Sequence, residues 1–168
     1  MEVLVVRHGI ALSRATAADQ GMLDRDRPLT AKGRSRMKRT ARGIAQLCPG
    51  VAQVTTSPFR RALETAEILR REYGELAMTE TSSLLPDADP SDLASFLAES
   101  ATDSPVAIVG HEPHLGNFIA WCVTSEERNV VDLRKGGACL LRFEDAPGPA
   151  KGCLLWLLPP SALRRLRL

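Results

Sequence analysis

The sequence contains few aromatic residues, few lysines and no long apolar segment. Aromatic residues make up 4% of the 168 residues, which disfavours a protein that stacks nucleic-acid bases on aromatic side chains. No purely apolar run is longer than that of residues 153–158, which is far too short to cross a bilayer. The N-terminus has neither the basic start nor the long apolar region of a secretory signal. We therefore expect a cytoplasmic protein that binds neither membranes nor nucleic acids.

Neither sign of charge dominates, since 22 basic and 20 acidic side chains give a formal net charge of +2. The net charge alone therefore favours no class of partner. The basic residues comprise four lysines and 18 arginines. Arginine binds phosphate and carboxylate groups with a planar fork of donors, although an arginine-rich solvated surface gives the same count.

The four cysteines, Cys48, Cys122, Cys139 and Cys153, lie far apart and form no C-x-x-C pair. This spacing is typical of free thiols in a reducing compartment. A zinc site needs clustered ligands, and the sequence contains no such cluster. We expect neither a metal ion nor a cofactor.

Short apolar runs alternate with helical patterns along the chain. The predicted strands cover residues 2–7, 51–56, 76–79, 106–109, 137–143 and 152–158. Helices are predicted to begin at Thr30, at Ser57-Pro58 and at Asp89-Pro90, where a capping side chain precedes the first turn, and again near residue 113. The alternation predicts one three-layer α/β domain over residues 1–168, with a mostly parallel sheet and helices on both faces.

Polar residues follow three of the predicted strands directly. They are Arg7-His8-Gly9, the segment from Ser57 to Arg61, and Gly110-His111-Glu112. Ligands bind beyond the carboxyl ends of strands in open α/β sheets. A single histidine is more often a structural residue, but two of the three histidines in the chain stand at matching strand ends with arginines nearby.

Histidine beside arginine indicates phosphoryl transfer through a nitrogen atom. A neutral imidazole is a good nucleophile near pH 7, and arginine forks stabilise the phosphoryl oxygens without a metal. The chain has no glycine-rich Walker loop and no obvious acidic cluster for magnesium. The sequence therefore favours a metal-independent reaction.

Four motifs in order resemble the histidine phosphatase (phosphoglycerate mutase-like) superfamily, in particular its compact SixA-type phosphohistidine phosphatases. The motifs are Val6-Arg7-His8-Gly9, Pro28-Leu29-Thr30-x-x-Gly33, Ser57-Pro58-x-x-Arg61-Ala62-x-x-Thr65-Ala66 and Gly110-His111-x-Pro113. The resemblance implies that His8 takes the phosphoryl group and that water then hydrolyses the phosphohistidine. It also implies that Arg7 and Arg61 clamp the phosphoryl oxygens, while His111 donates to them and gains charge in the transition state.

Two neighbours of these residues are assigned lesser roles. Arg60 is adjacent to Arg61 but lies about 100° away around a helix, so we expect it to face solvent. His114 follows His111 by three residues, and we expect a surface or substrate-rim position rather than a catalytic one.

The sequence departs from the larger family where many members carry a glutamate as general acid. Residues 84–90 contain no glutamate, and Asp89 is better explained as a helix cap, which leaves Asp87 as the candidate acid. An alkoxide leaves poorly without an acid, whereas an imidazole can carry its own proton near pH 6.5 and depart neutral. The resemblance, with this departure, predicts hydrolysis of phosphohistidine on a protein such as a histidine-phosphotransfer domain.

Other functions fit parts of the same pattern. The chain could be a phosphatase of small phosphorylated metabolites, or it could bind phosphoproteins without turnover. Residues 80–100 are too few for a bulky lid, so we expect an open site. Eight basic residues lie between Arg25 and Arg42. A solvated helix face is favoured for them over a nucleic-acid surface, and a basic rim that attracts an acidic phosphoprotein is a third interpretation.

Overall fold

The computed structural model describes residues 1–100, 102–126, 128 and 130–166. The predicted domain of residues 1–168 also includes residues 101, 127, 129, 167 and 168, which lie outside the described part. The strands are β1 (Glu2–Arg7), β2 (Gln53–Thr56), β3 (Ala77–Glu80), β4 (Val106–Gly110), β5 (Ala138–Phe143) and β6 (Gly152–Leu158). The helices are α1 (Arg14–Asp19), α2 (Ala31–Leu47), α3 (Arg60–Glu72), α4 (Pro90–Glu99), α5 (His114–Thr124) and α6 (Pro160–Leu163).

The strands form one sheet in the order β3-β2-β4-β1-β5-β6. The first four strands pair in parallel with one another. β5 pairs antiparallel with both of its neighbours, β1 and β6. The predicted mostly parallel sheet is confirmed. β1 and β4 occupy its centre because both are almost purely apolar, as expected of strands buried on both faces.

Alternate residues of β1 face two separate cores. Leu4 and Val6 pack on one face with residues of α2, α3 and α6, whereas Val3 and Val5 pack on the other with residues of α4 and α5. Successive strand side chains point to opposite faces, so the apolar run of β1 supplies both cores. The predicted three-layer arrangement is confirmed.

Two of the three predicted caps are confirmed, and the third is wrong. Thr30 accepts from the Gly33 N–H at the start of α2, and Asp89 accepts from the Ser91 N–H at the start of α4. By contrast, α3 begins at Arg60 rather than directly after Ser57, and its first turn has no side-chain cap. The Ser57 hydroxyl instead contacts His111.

The segment between β3 and β4 forms no lid in its described part. It consists of a 3₁₀ turn (Ser82–Leu84) and α4. Leu93 and Leu97 of α4 are fully buried in the core, so this helix is one of the covering layers of the sheet. Within the described residues, no helix is both long and apolar enough to cross a membrane.

Candidate active site

The two predicted catalytic histidines meet at the carboxyl ends of adjacent parallel strands. The register pairs Arg7 of β1 with Gly110 of β4, so the residues that follow, His8 and His111, leave the sheet side by side. Their ring centroids are 5.1 Å apart. His8 is 6% exposed and His111 is 1% exposed.

One tautomer of His8 is fixed by its own loop. Its Nδ1 lies 2.7 Å from the carbonyl oxygen of Gly9. Because a carbonyl oxygen only accepts hydrogen bonds, Nδ1 carries the proton and Nε2 keeps its lone pair. Burial lowers the pKa of His8, the Gly9 carbonyl opposes this, and the charges of Arg61, Arg7 and Lys135 also lower it, so that the pKa is about 3. His8 is therefore neutral at pH 7.

Backbone contacts hold this loop on three sides. The Gly136 N–H donates to the carbonyl oxygens of both Arg7 and His8 at 3.1 Å. The His8 N–H donates to the Gly110 carbonyl at 3.1 Å. The Gly9 N–H donates to Thr65 Oγ1 of α3 at 3.0 Å, which explains why the α3 motif contains a threonine at this spacing. The imidazole of His8 is thus attached to a rigid support.

The two predicted phosphate-binding arginines are each anchored at one end. Arg7 Nη1 donates to the Leu133 carbonyl at 2.8 Å. Arg61 Nη1 donates to the backbone carbonyl of Asp24 at 2.8 Å, and its Nη2 lies 3.1 Å from Asp24 Oδ2. Burial lowers the pKa of both guanidinium groups, while nearby carboxylates, including Glu112 for Arg7 and Asp24 for Arg61, raise it.

His111 is oriented by residues that follow β2. Its Nε2 lies 2.8 Å from Ser57 Oγ, and the Phe59 ring approaches it edge-on at 5.2 Å between centroids. Burial lowers the pKa of His111 to about 2, and His8 and Arg61 add to the shift while Asp24 opposes it. His111 is therefore neutral in this state, and a positive charge on it would require a nearby phosphoryl group.

Three buried nitrogen atoms of these residues have no hydrogen-bond partner. They are Arg7 Nε, Arg61 Nε and His111 Nδ1. Buried polar groups are nearly always hydrogen-bonded, so each exception needs an explanation. An anion with several oxygen atoms beside His8 would supply acceptors for all three.

Comparison with known proteins identifies the family. The sequence profile of the histidine phosphatase superfamily (branch 1) matches residues 3–86. An uncharacterised protein of Picosynechococcus sp. is 37% identical over 173 aligned residues, which cover 95% of this chain and 100% of that protein. The chain belongs to the histidine phosphatase superfamily.

Solved structures of other phosphatases share its fold. The protein histidine phosphatase SixA, complexed with tungstate, superposes with a TM-score of 0.80 at 21% identity, covering 97% of this chain and 99% of that chain. A phosphoserine phosphatase mutant of Entamoeba histolytica, in complex with phosphoserine, gives a TM-score of 0.69 at 13% identity, covering 98% and 99% of the two chains. At these identities the likeness shows the fold.

One residue of this histidine phosphatase site, Asp24, was not among the sequence candidates. Its carboxylate lies 3.1 Å from Arg61, 3.0 Å from Arg27 and 3.2 Å from Arg14. Burial raises the pKa of Asp24, but Arg61 and Arg27 outweigh burial and hold the pKa below its usual value. The sequence feature that could have pointed to Asp24 is the alternation of Asp and Arg over residues 24–27, directly before Pro28.

The remaining sequence candidates are Arg60, His114 and Asp87. Arg60 is exposed and pairs with Glu64 at 3.1 Å, which confirms the predicted solvent-facing position. His114 is 2% exposed, so its predicted surface or rim position is wrong. It is the first residue of α5. Burial lowers its pKa, and the charges of Asp89 and Asp87 raise it by less. Asp87 is exposed and lines a groove beside α4, and its role as general acid stays a prediction.

The eight basic residues between Arg25 and Arg42 do not form one surface. Arg34 lies 2.7 Å from Glu64 of α3, and Arg42 lies 4.0 Å from Glu72. Arg36 points instead into a cleft that α2 shares with α6. One face of α2 is therefore neutralised by α3, whereas the other has no carboxylate partner among the described residues.

Proposed function

We propose that this protein hydrolyses phosphohistidine on a protein through a covalent phosphohistidine intermediate at His8. One observation carries the proposal. His8, whose Nε2 keeps its lone pair, lies beside His111 and close enough to Arg7 and Arg61 for their charges to lower its pKa. Each of the other three residues has a buried nitrogen without a partner among the described residues. This combination of a nucleophile with fixed donors suits phosphoryl transfer, which requires mainly positioning and charge stabilisation.

The first step transfers the phosphoryl group to the enzyme. His8 Nε2 attacks phosphorus, and the P–N bond to the substrate imidazole breaks. The electron pair of that bond returns to the nitrogen of the substrate imidazole. The ring leaves as neutral imidazole when its other nitrogen carries a proton, or when solvent protonates the nitrogen that loses phosphorus. In the second step water attacks the phosphorus on His8 and loses a proton to solvent. The P–N bond to His8 breaks, its electron pair returns to Nε2, and orthophosphate is released.

Charge on the phosphoryl oxygens would be stabilised by Arg7, Arg61 and His111. Their supports, the Leu133 carbonyl and Asp24, are already in place in this structure, and preorganised donors are worth on the order of 100- to 1000-fold in rate each. Among the described residues, no three His, Cys, Asp or Glu side chains gather where they could hold a metal ion. We therefore propose that the arginines perform the role a metal has in other phosphatases.

Three features support a phosphorylated protein as substrate. Residues 84–90 contain no glutamate that could act as a general acid, which suits a leaving group that needs little protonation. The segment after β3 packs on the core instead of covering the site. SixA, which shares the fold, is a protein histidine phosphatase and has been complexed with tungstate, a tetrahedral oxyanion like phosphate.

A phosphatase of small phosphomonoesters is the second candidate. It is favoured by the shared fold of a phosphoserine phosphatase. A binding protein without turnover is disfavoured, since all four implied catalytic residues are present.

Three buried free cysteines, Cys48, Cys122 and Cys139, fit a reducing compartment such as the cytoplasm.

The deciding experiment compares turnover of a phosphorylated histidine-phosphotransfer domain with that of a panel of phosphomonoesters. The proposal predicts that kcat/KM is highest for the phosphohistidine protein and that His8→Ala abolishes turnover. Faster hydrolysis of sugar or glycerate phosphates would instead establish the second candidate.

A further inference from the structure

A cleft of about 210 Å³ lies beside the His8 loop, between α2, the segment before β5 and α6. It touches Gly9, and its walls include four cationic residues, Arg36, Arg134, Lys135 and Arg164. The described residues that line it include no Asp, Glu or aromatic residue. We term it the basic cleft.

Arg134 pairs with Asp132 at 3.4 Å, but the other three cations of the basic cleft form no ion pair with a carboxylate among the described residues. Arg36 and Arg164 are both half-buried, and neither forms an ion pair with a described carboxylate. Burial lowers the pKa of Arg164, and the charges of Arg36, Arg39 and Arg165 lower it further. Because like charges held together repel, an anion from outside the chain would stabilise this arrangement.

The basic cleft is next to the catalytic loop. Gly136, which lines the cleft, donates its N–H to the carbonyl oxygens of Arg7 and His8. Lys135 contributes to lowering the pKa of His8, and its own pKa is lowered by burial and by the charges of Arg7 and Arg61, among others. Lys135 therefore lies between the phosphoryl site and the basic cleft, and one ligand could reach both.

The size of the cleft decides between classes of ligand. Pockets for free small molecules usually measure about 300–1,000 Å³, so this cleft suits an acidic side chain better than a nucleotide. We infer that the basic cleft docks an acidic segment of the phosphorylated protein whose phosphohistidine lies at His8. The inference rests on the proposed function and names the chemistry of its substrate.

A charge-reversal pair tests the inference with a matched control. The double variant Arg36→Glu/Arg164→Glu reverses two charges of the cleft. The control Lys32→Glu/Lys38→Glu makes the same change in net charge at two exposed positions of α2. Each is assayed on an acidic phosphorylated histidine-phosphotransfer domain and on phosphoimidazole, which is too small to reach the cleft. The milder Arg36→Gln/Arg164→Gln is the second variant if the first fails to fold.

We expect the cleft variant to lose about tenfold in kcat/KM on the phosphoprotein, through KM, with kcat unchanged. Two half-buried ion pairs are together worth about 1.4 kcal/mol, which is about tenfold. The control should change by less than about twofold because only long-range attraction is reduced. Both variants should hydrolyse phosphoimidazole like the wild type. Equal losses in the two variants, or a matching loss on phosphoimidazole, would overturn the inference.

A binding measurement separates this inference from the proposed function. In a His8→Ala background, a fluorescent oligoglutamate peptide should bind, and the cleft reversal should remove that binding while the control reversal leaves it. This result would support the cleft even if the wild type hydrolysed no phosphohistidine, the outcome that ends the proposed function. Tighter binding of single-stranded DNA through Arg36 and Arg164 would make the cleft a nucleic-acid site and contradict the inference.

Discussion

Asp24 Oδ2 lies 3.1 Å from Arg61 Nη2, and the Asp24 backbone carbonyl accepts from Arg61 Nη1 at 2.8 Å. One residue thus fixes both terminal nitrogens of a buried guanidinium, and Arg61 Nε is left without a partner. Asp24 orients Arg61 from behind, so that the remaining N–H groups are available to a phosphoryl oxygen. The 3₁₀ turn (Asp24–Asp26) is therefore part of the site although it contains none of the family motifs.

Replacing Asp24 by Asn tests this positioning role. Asp24→Asn keeps the side-chain shape but removes a charge-assisted hydrogen bond, which is worth about 1.5–3 kcal/mol when one partner is ionised. We expect kcat/KM to fall by roughly tenfold or more in steady-state assays. An increase in kcat/KM would show instead that Asp24 competes with the substrate for Arg61.

Removing the Ser57 hydroxyl should affect His111 without affecting the fold. Ser57→Ala removes the partner of His111 Nε2 and allows the ring to turn, so kcat should fall about tenfold, since one hydrogen bond contributes about 0.5–1.5 kcal/mol. Ser35→Ala, at an exposed position of α2, is the control and should behave as wild type. A Ser57→Ala enzyme with unchanged kcat would show that His111 needs no support from Ser57.

Two of the three buried histidines, His8 and His111, make the stability of the protein depend on pH in a defined direction. Their pKa values are lowered to about 3 and about 2, whereas in the unfolded chain they are about 6.5. As the pH falls below about 6.5, only the unfolded chain takes up these protons, so the free energy of unfolding decreases by up to about 1.4 kcal/mol per pH unit for each ring. This contribution to stability is complete above about pH 6.5. It is lost progressively as the pH falls toward the pKa values of the two rings in the folded protein.

Urea unfolding at pH 7.5 and pH 5.5 measures this effect. The loss of stability between the two values should be smaller in His8→Gln and His111→Gln than in the wild type, because glutamine does not titrate. In NMR spectra the two rings should remain neutral over the same range. A titration midpoint near 6.5 for either ring would contradict the burial-driven shift.

Gly33 of the second motif is required by a close backbone approach. A Cβ at this position would lie 2.0 Å from the carbonyl oxygen of Ile10, just after the His8 loop. Gly33→Ala should destabilise the fold by about 1–3 kcal/mol in denaturant unfolding, as overpacked positions do. Gly50→Ala is the control, since its Cβ would meet only the Pro105 side chain at 3.8 Å; equal stabilities of the two variants would contradict this explanation of the motif.

The sequence was sufficient to predict the sheet and the two histidines at its centre, because apolar runs and the polar residues after them are local signals. The Thr30 and Asp89 caps were predictable for the same reason. The residues that depend on distant contacts were not. Asp24 meets Arg61 across 37 positions of the chain, and the alternation of Asp and Arg over residues 24–27 does not indicate which distant residue Asp24 contacts.

Two errors have the same physical origin. Ser57 followed by proline is a typical helix start, but His111 binds the hydroxyl and α3 begins at Arg60. His114 is polar, and it was expected near the surface, yet the first turn of α5 packs under the loop before α4 and buries it. In both cases tertiary contacts outweighed a correct local preference.

The most direct test of the account is to trap the phosphorylated enzyme. The wild type is mixed with a radiolabelled phosphohistidine protein, quenched within one turnover and digested into peptides. The account predicts label that is stable in alkali and lost in acid, located on the peptide that contains His8 and absent from His8→Ala. Label that survives acid, or that resides on any other residue while turnover continues, would contradict a nucleophilic His8.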